Sequence, residues 1–201
     1  MDPQSGQEYG FCEYAGRYVI VQTIDFQILD WIQQNMRNPV FDRVMPFLSA
    51  IGGFGIIWIL IGLFFLIDKR KRPYGIMILA GLLLGLLVGN VVLKHLVARP
   101  RPCVLNPSVQ LLVSMPKGYS FPSGHTLSAF IGATVLCCYK RSWGIPALIL
   151  AGLIAFSRLY LYVHFPSDVL AGLVLGVVIG LVTVFLYGKI MRKDKKQPDT
   201  N

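Results

Sequence analysis

The sequence is short of charge. Only 14% of its 201 residues are Asp, Glu, Lys or Arg, against roughly a quarter in an average soluble domain. With 54% hydrophobic residues and a mean hydropathy of +0.58, the composition excludes an ordinary water-soluble globule and asks first for membrane spans. Cysteine is scarce too. Cys12, Cys103, Cys137 and Cys138 show no paired metal-ligand spacing. Cys137-Cys138 falls inside an apolar run, where small-residue packing is the default, and Cys12 and Cys103 leave room for one disulfide. The opening MDPQSGQEYG is polar and acidic, with no basic n-region before an apolar core, so no signal peptide is expected. Tandem repeats and low-complexity segments are missing. There is also no acidic cluster to hold magnesium, and His95, His125 and His164 share no zinc spacing. No metal and no cofactor are therefore expected.

Long apolar runs are what the chain has instead. A hydrocarbon core about 30 Å thick takes roughly 20 residues of helix. Residues 48–67, 73–93 and 169–188 supply that length without a charged side chain; 121–139 and 145–163 nearly do, carrying His125 and Arg158. The expected fold is all-α: a polytopic bundle of five to six transmembrane helices. Residues 23–38 read as an N-terminal amphipathic surface helix, capped by Thr23 and ended by Asn38-Pro39. Its apolar stripe would be Ile24, Ile28, Trp31 and Ile32, with Asp25, Gln33 and Gln34 off it; packing against the bundle is the alternative. The expected division is 1–44 as N-terminal segment, 45–190 as transmembrane domain and 191–201 as basic tail.

The net charge of +9 is a topology signal rather than a nucleic-acid footprint. Eleven of the nineteen basic residues lie at 68–72, 140–141 and 189–196, all on one side of a five-span bundle. The positive-inside rule makes that side, and the C-terminus, cytoplasmic in a plasma (inner) membrane, with anionic lipids as contacts. Residues 1–48, with three basic and six acidic groups, suit the outer side. Gly81, Gly85 and Gly89, and Gly172, Gly176 and Gly180, repeat at four-residue spacing, which lets helices pack closely within the molecule.

The remaining polar residues gather at the outer ends of the spans. Lys94, Arg99 and Arg101 follow the second span, Ser123, Gly124 and His125 open the third, Arg158 nears the end of the fourth, and His164 and Asp168 flank the joint before the fifth. Lys94, Arg101 and Arg158 make a tri-cationic pocket suited to a phosphate ester. Ser123 and Gly124 open a helix whose free N–H groups and dipole favour the same anion. Four residues separate His164 from Asp168, so the carboxylate can hold one ring nitrogen while the other attacks. His125 is left to protonate the leaving oxygen. Each residue has a bland reading on its own: Lys94 and Arg99 snorkelling, His125 capping its helix, Asp168 as a first-turn acid. Jointly these would need several independent coincidences at one membrane face. His95 stays with the bland reading, and Arg99 is read as a supporting or headgroup contact.

These residues also form three ordered signatures: Lys94 and Arg101-Pro102 fit K-x6-RP, 122–125 fit PSGH, and Ser157-Arg158 with His164 and Asp168 fit SR-x5-H-x3-D. In this the chain resembles the type-2 phosphatidic acid phosphatase superfamily. The resemblance implies a helical membrane bundle, commonly of six spans, and a phosphohistidine on His164 oriented by Asp168. His125 would act as acid and then base, and Lys94, Arg101, Arg158, Ser123 and Gly124 would hold the phosphoryl oxygens. The expected activity is metal-independent hydrolysis of a membrane lipid phosphate or diphosphate from the outer or periplasmic side. Undecaprenyl diphosphate is favoured by analogy and topology; phosphatidylglycerol phosphate and phosphatidic acid are alternatives. A non-catalytic lipid-phosphate-binding or transport protein is the alternative of another class, but it gives no use to paired His164 and Asp168. Vanadate-dependent halide oxidation is a third reading, which has no need of membrane spans.

Overall fold

The structure, a computed structural model, describes residues 5–194, and within them the side chains at 21–53 and 55–191. Every regular element among the described residues is helical. α1 (Ser5–Met36) stops short of Asn38, which caps α2 (Pro39–Ile51) instead. The Asn38 side-chain oxygen accepts from the N–H groups of Val40 and Phe41 at 3.0 Å each, and Pro39 opens the helix where a missing N–H costs nothing. A 3-10 turn at Gly53–Gly55 joins α2 to α3 (Ile56–Ile67). Gly55 has φ of 70°, and a Cβ there would meet the Ser128 Cβ at 3.2 Å, so glycine alone suits the corner.

α4 (Arg72–Gly85) runs without a break through a π-helical stretch, Leu86–Leu93, into α5 (Lys94–Val97). Ala98, at φ of 46°, ends it, and Arg99-Pro100 cannot resume a helix. After the short α6 (Pro102–Leu105) and a loop come α7 (Gly124–Tyr139), α8 (Arg141–Tyr160) and α9 (Pro166–Asp194).

α7 is the axis of the bundle, packed against α4, α8 and α9 and buried at every residue from Ala129 to Leu136. Glycine makes two of those contacts close. A Cβ on Gly81 or Gly85 would meet Ile131 at 2.8 or 2.5 Å; one on Gly172 or Gly176 would meet the carbonyl oxygens of Ser123 and Leu127 at 2.8 and 2.7 Å. Both glycine stripes therefore work inside one molecule, bringing α4 and α9 against α7. The outward faces carry Leu60, Phe64, Leu83, Val91, Ile149, Val174 and Phe185, all exposed, which suits hydrocarbon surroundings.

Two sequence expectations are not matched in detail, the number of spans and the N-terminal helix. Among the described residues, three helical stretches are long and apolar enough to cross a membrane, Arg72–Leu105, Arg141–Tyr160 and Pro166–Met191, and the α2–α3 pair, bent by 47°, is a fourth if counted as one span. The run 48–67 is thus broken at its glycines. α7 has 16 residues, about 24 Å at 1.5 Å per residue, and can be short because neighbouring helices enclose it.

The N-terminal helix is likewise longer and turned differently than its pattern implies. It starts at Ser5, so Thr23 is interior to it. Ile24, Ile28 and Trp31 face outward, while Asp25, Leu29 and Ile32 are buried against the bundle. A buried ion pair on Asp25 and an edge-to-face contact of Phe26 on Phe165, with centroids 5.1 Å apart, decide which face docks.

The Cys12–Cys103 pairing that the sequence leaves open involves a side chain outside those described; Cys103 is a buried thiol. The basic tail beyond residue 194 also lies outside the described residues.

Candidate active site

The loop between α8 and α9 carries the centre of the site, and it is buried throughout: no residue from Leu161 to Phe165 is more than 2% exposed. Tyr162 takes φ of 58° to turn the chain. Two tyrosines fasten the loop to the N-terminal helices. Tyr160 donates to Asp42 at 2.6 Å and Tyr162 to Asp30 at 2.7 Å. Burial raises the Tyr162 phenol to about 12, and the Asp30 carboxylate adds to the rise, so the hydroxyl stays a donor.

His164 is held on both sides of its ring. Arg101 Nη1 lies 3.1 Å from His164 Nε2. A guanidinium has no acceptor, so Nε2 must accept, and the proton of the neutral ring sits on Nδ1. There it faces Ser120 Oγ at 3.4 Å and Asp168 Oδ2 at 3.7 Å. Burial pushes the His164 pKa down to about 3, further lowered by Arg158 and Arg101, while Asp168 opposes the fall. The ring is therefore neutral near pH 7, with the Nε2 lone pair turned to Arg101 on the cavity side.

Asp168, in the first turn of α9, is fully buried and saturated with donors. Oδ2 accepts from Ser120 Oγ at 2.5 Å and from the Phe165 N–H at 2.9 Å; Oδ1 accepts from Arg99 Nη1 at 2.8 Å. At 3.7 Å the carboxylate is beyond direct hydrogen-bond reach of His164, and Ser120 stands between them. Arg101 is locked as well. Its Nη1 donates to Val163 O at 2.9 Å, its Nε to Gly118 O at 3.0 Å and its Nη2 to Lys117 O at 3.4 Å. That ties the 106–123 loop down over the histidine.

These groups open onto a cavity of about 830 Å³ whose two ends differ. One end is lined by Lys94, Arg101, Lys117, Arg158, His125 and His164, together with Gly124 at the start of α7. Four cations and no carboxylate line the cavity, so its potential favours an anion. Arg158 is 5% exposed, gives one N–H to Ser49, and leaves its Nε without a partner. The other end is lipid-like, walled by Ile59, Leu79, Leu82, Leu83, Leu86 and Ile131. The buried Asn90 Oδ1, also without a partner, lies 3.0 Å from where a Cβ on Gly124 would be. Glycine there keeps the helix start open to the cavity.

The structure brings together Lys94, Arg101, Gly124, His125, Arg158 and His164 on one cavity wall, with Asp168 behind His164. Ser123 is placed differently. Its hydroxyl caps α7, accepting from Thr126 Oγ1 at 2.9 Å, and its N–H donates to Asp168 O at 3.1 Å. It shapes the helix start rather than lining the cavity. Sequence reasoning missed Ser120 and Asp25, and gave Arg99 only a supporting part. Asp25 had one available signal, a carboxylate directly beside Ile24 of the apolar stripe.

Residues 73–192 match the family model described as the PAP2 superfamily. The chain is 37% identical to an undecaprenyl-diphosphatase of Sulfolobus acidocaldarius over 142 residues, which is 70% of this chain and 68% of that protein. It is 33% identical to undecaprenyl-diphosphatase BcrC of Bacillus subtilis, over 77% of this chain and 79% of that one. Among solved structures it resembles a transmembrane PAP2-type phosphatidylglycerolphosphate phosphatase from Bacillus subtilis. That match has a TM-score of 0.69 and 26% identity over 90% of each chain.

Proposed function

The chain belongs to the PAP2 superfamily and is a membrane lipid phosphatase of that type, and on that premise we propose that it hydrolyses undecaprenyl diphosphate through a covalent phosphohistidine. The observation that carries this reading is the two-ended cavity. A cationic end that contains two histidines meets an apolar wall of Ile59, Leu79, Leu82, Leu83 and Leu86, a shape for a phosphorylated head on a hydrocarbon tail.

The chemistry follows from the donors and acceptors. Lys94, Arg101, Arg158 and the α7 N-terminus at Gly124 hold the terminal phosphoryl oxygens. His164 Nε2 attacks phosphorus; the N–P bond forms as the bond to the bridging oxygen breaks. His125 gives its proton to that oxygen, and undecaprenyl phosphate departs. Asp168 and Ser120 hold the Nδ1 proton in place while the ring becomes cationic. Water activated by His125 then cleaves the N–P bond, releasing inorganic phosphate. Metal independence is part of the proposal. Four cations and no carboxylate line the cavity, a donor set that repels a divalent ion.

The basic clusters at 68–72 and 140–141 follow α3 and α7 at the end of the bundle opposite His164, which supports an outward-facing site and a cytoplasmic C-terminus. Phosphatidylglycerol phosphate is the second reading, favoured by the likeness to the Bacillus subtilis structure. The test is phosphate release by purified protein from undecaprenyl diphosphate, phosphatidylglycerol phosphate and phosphatidic acid. His164→Ala is expected to abolish release from all three, vanadate to inhibit, and EDTA to have no effect. Turnover in His164→Ala would sink the nucleophile, and anion binding without turnover in the parent protein would favour the transport reading.

A further inference from the structure

Asp25 touches neither the cavity nor any atom that would react, yet it is only 3% exposed and saturated with donors. Its Oδ2 accepts from Arg99 Nη2 at 2.7 Å and from Ser167 Oγ at 2.5 Å; its Oδ1 accepts from the Ser167 N–H at 3.0 Å. Arg99 is shared between two carboxylates. Nη1 reaches Asp168 Oδ1 at 2.8 Å, and the guanidinium lies over the Phe165 ring, 3.9 Å from its centroid. Three charges from three parts of the chain thus form one buried row, Asp25–Arg99–Asp168, directly behind His164.

Counting charge along that row shows what Asp25 does. Arg99 alone would neutralise Asp168, leaving a net charge of zero behind the histidine. With Asp25 the row is net negative by one. When Nε2 bonds to phosphorus and Nδ1 keeps its proton, the His164 ring acquires positive charge. A fixed negative charge behind it, in a site shielded from water, stabilises that charge as it builds. Asp25 also holds Arg99 away from a fully bidentate grip on Asp168, which leaves Oδ2 free for Ser120 and the Nδ1 side of the ring.

A purely mechanical clip for α1 explains the arrangement less well. The helix is already anchored by Leu29 and Ile32 in the core, by Phe26 on Phe165, by Tyr162 on Asp30 and by Gln33 Nε2 donating to Tyr160 O at 2.8 Å. Burying a second carboxylate adds desolvation without being needed for docking. We infer that Asp25 is a positioning residue for the His164–Asp168 pair, acting through Arg99 by its charge rather than by fastening α1. The inference rests on His164 as nucleophile.

The test uses the full chain in detergent micelles, with phosphate release from undecaprenyl diphosphate and vanadate inhibition as readouts. The variants are Asp25→Asn, Arg99→Gln, the double variant and Gln33→Leu. Asp25→Asn is expected to lower kcat about tenfold with KM within about twofold, and to weaken vanadate inhibition by a similar factor. The double variant should lose less than the two single losses multiplied, because both substitutions act on the one charge row. Gln33→Leu, which removes the α1 bond to Tyr160 O without touching the charge row, should leave kcat within about twofold. A kcat for Asp25→Asn within about threefold of the parent overturns the inference. So do losses that multiply in the double variant, or a Gln33→Leu loss as large as that of Asp25→Asn. Should Asp25→Asn not fold, Ser167→Ala takes its place; it removes a donor to Asp25 with no change of charge. A kcat loss of about threefold at constant KM supports the inference, and no loss overturns it. Parent protein and His164→Ala run alongside. If the parent shows no turnover, it is the proposed activity that fails, and the vanadate affinities still decide the role of Asp25.

Discussion

Replacing Asp168 by Asn is the sharpest test of the site, because the two side chains have the same shape and differ only in charge and donors. In the structure the Asp168 carboxylate accepts three bonds, from Arg99, Ser120 and the Phe165 N–H, and it is fully buried. An amide has one oxygen and one NH2. If the NH2 takes the Oδ1 side, it points at Arg99 Nη1; if it takes the Oδ2 side, it meets both Ser120 and the Phe165 N–H. Either orientation sets donor against donor. Ser120 can rotate its hydroxyl to escape, but Arg99 and the backbone N–H cannot.

The least costly orientation therefore leaves one buried donor unpaired, at about 1–3 kcal/mol. It also removes a charge from a buried ion pair, for which truncation typically costs about 3–5 kcal/mol. A stability loss of about 3–5 kcal/mol is expected. Turnover should fall further than stability does, because the ring loses the negative charge behind Ser120 that stabilises it as it becomes cationic. A kcat decrease of about 10³ or more is expected, with KM little changed. The assay pairs thermal unfolding in detergent with phosphate release at saturating lipid, below the variant's midpoint. A folded Asp168→Asn protein with kcat within about threefold of the parent would refute the role assigned to the row behind His164.

Ser120→Ala removes the hydroxyl between Asp168 and His164 and should lower kcat about tenfold with KM unchanged; an equal loss in KM would place Ser120 in substrate binding instead. Gly176→Ala puts a Cβ 2.7 Å from the Leu127 carbonyl oxygen. Overpacking against backbone should destabilise by about 1–3 kcal/mol, whereas Gly152→Ala, with nothing within 4 Å, should stabilise by up to about 1 kcal/mol. Melting both variants checks the pair, and equal midpoints would contradict the helix contact. The depressed His164 pKa, about 3 against an ordinary 6.5, sets a pH dependence. Between these values the unfolded chain binds a proton there that the native state does not, so stability rises with pH and is lost on acidification below 6.5. Unfolding measured from pH 7 to pH 4 should show this slope, and His164→Gln should reduce it by about 1.4 kcal/mol per unit; an unchanged slope would contradict the neutral ring.

Much of the site is legible in the chain because its pieces are local. His164 and Asp168 lie one helical turn apart, Lys94 and Arg101 bracket one helix end, and Gly124 opens α7. Each follows from spacing along a single segment, and the apolar runs that carry these segments into a membrane are fixed by composition. What spacing cannot convey is which face of a helix meets another. The α1 pattern joins Ile24, Ile28, Trp31 and Ile32 in one stripe, yet only Ile32 is buried, and a buried bond from Asp25 to Arg99, 74 residues away, helps set which face docks. Ser123, read as a phosphate ligand, turns its hydroxyl to Thr126, while Ser120, three residues earlier, takes the place between Asp168 and His164.

The sequence by itself therefore determined a helical membrane protein and supplied the cationic and imidazole groups proposed to bind and attack a phosphoryl centre, since these depend on residue type and short-range periodicity. Only the tertiary structure decided the order behind His164, with Ser120 next to it and then Asp168, Arg99 and Asp25. It also decided that the cationic end opens onto an apolar wall. Those arrangements depend on how closely glycine lets α4 and α9 approach α7, a distance that no single segment encodes.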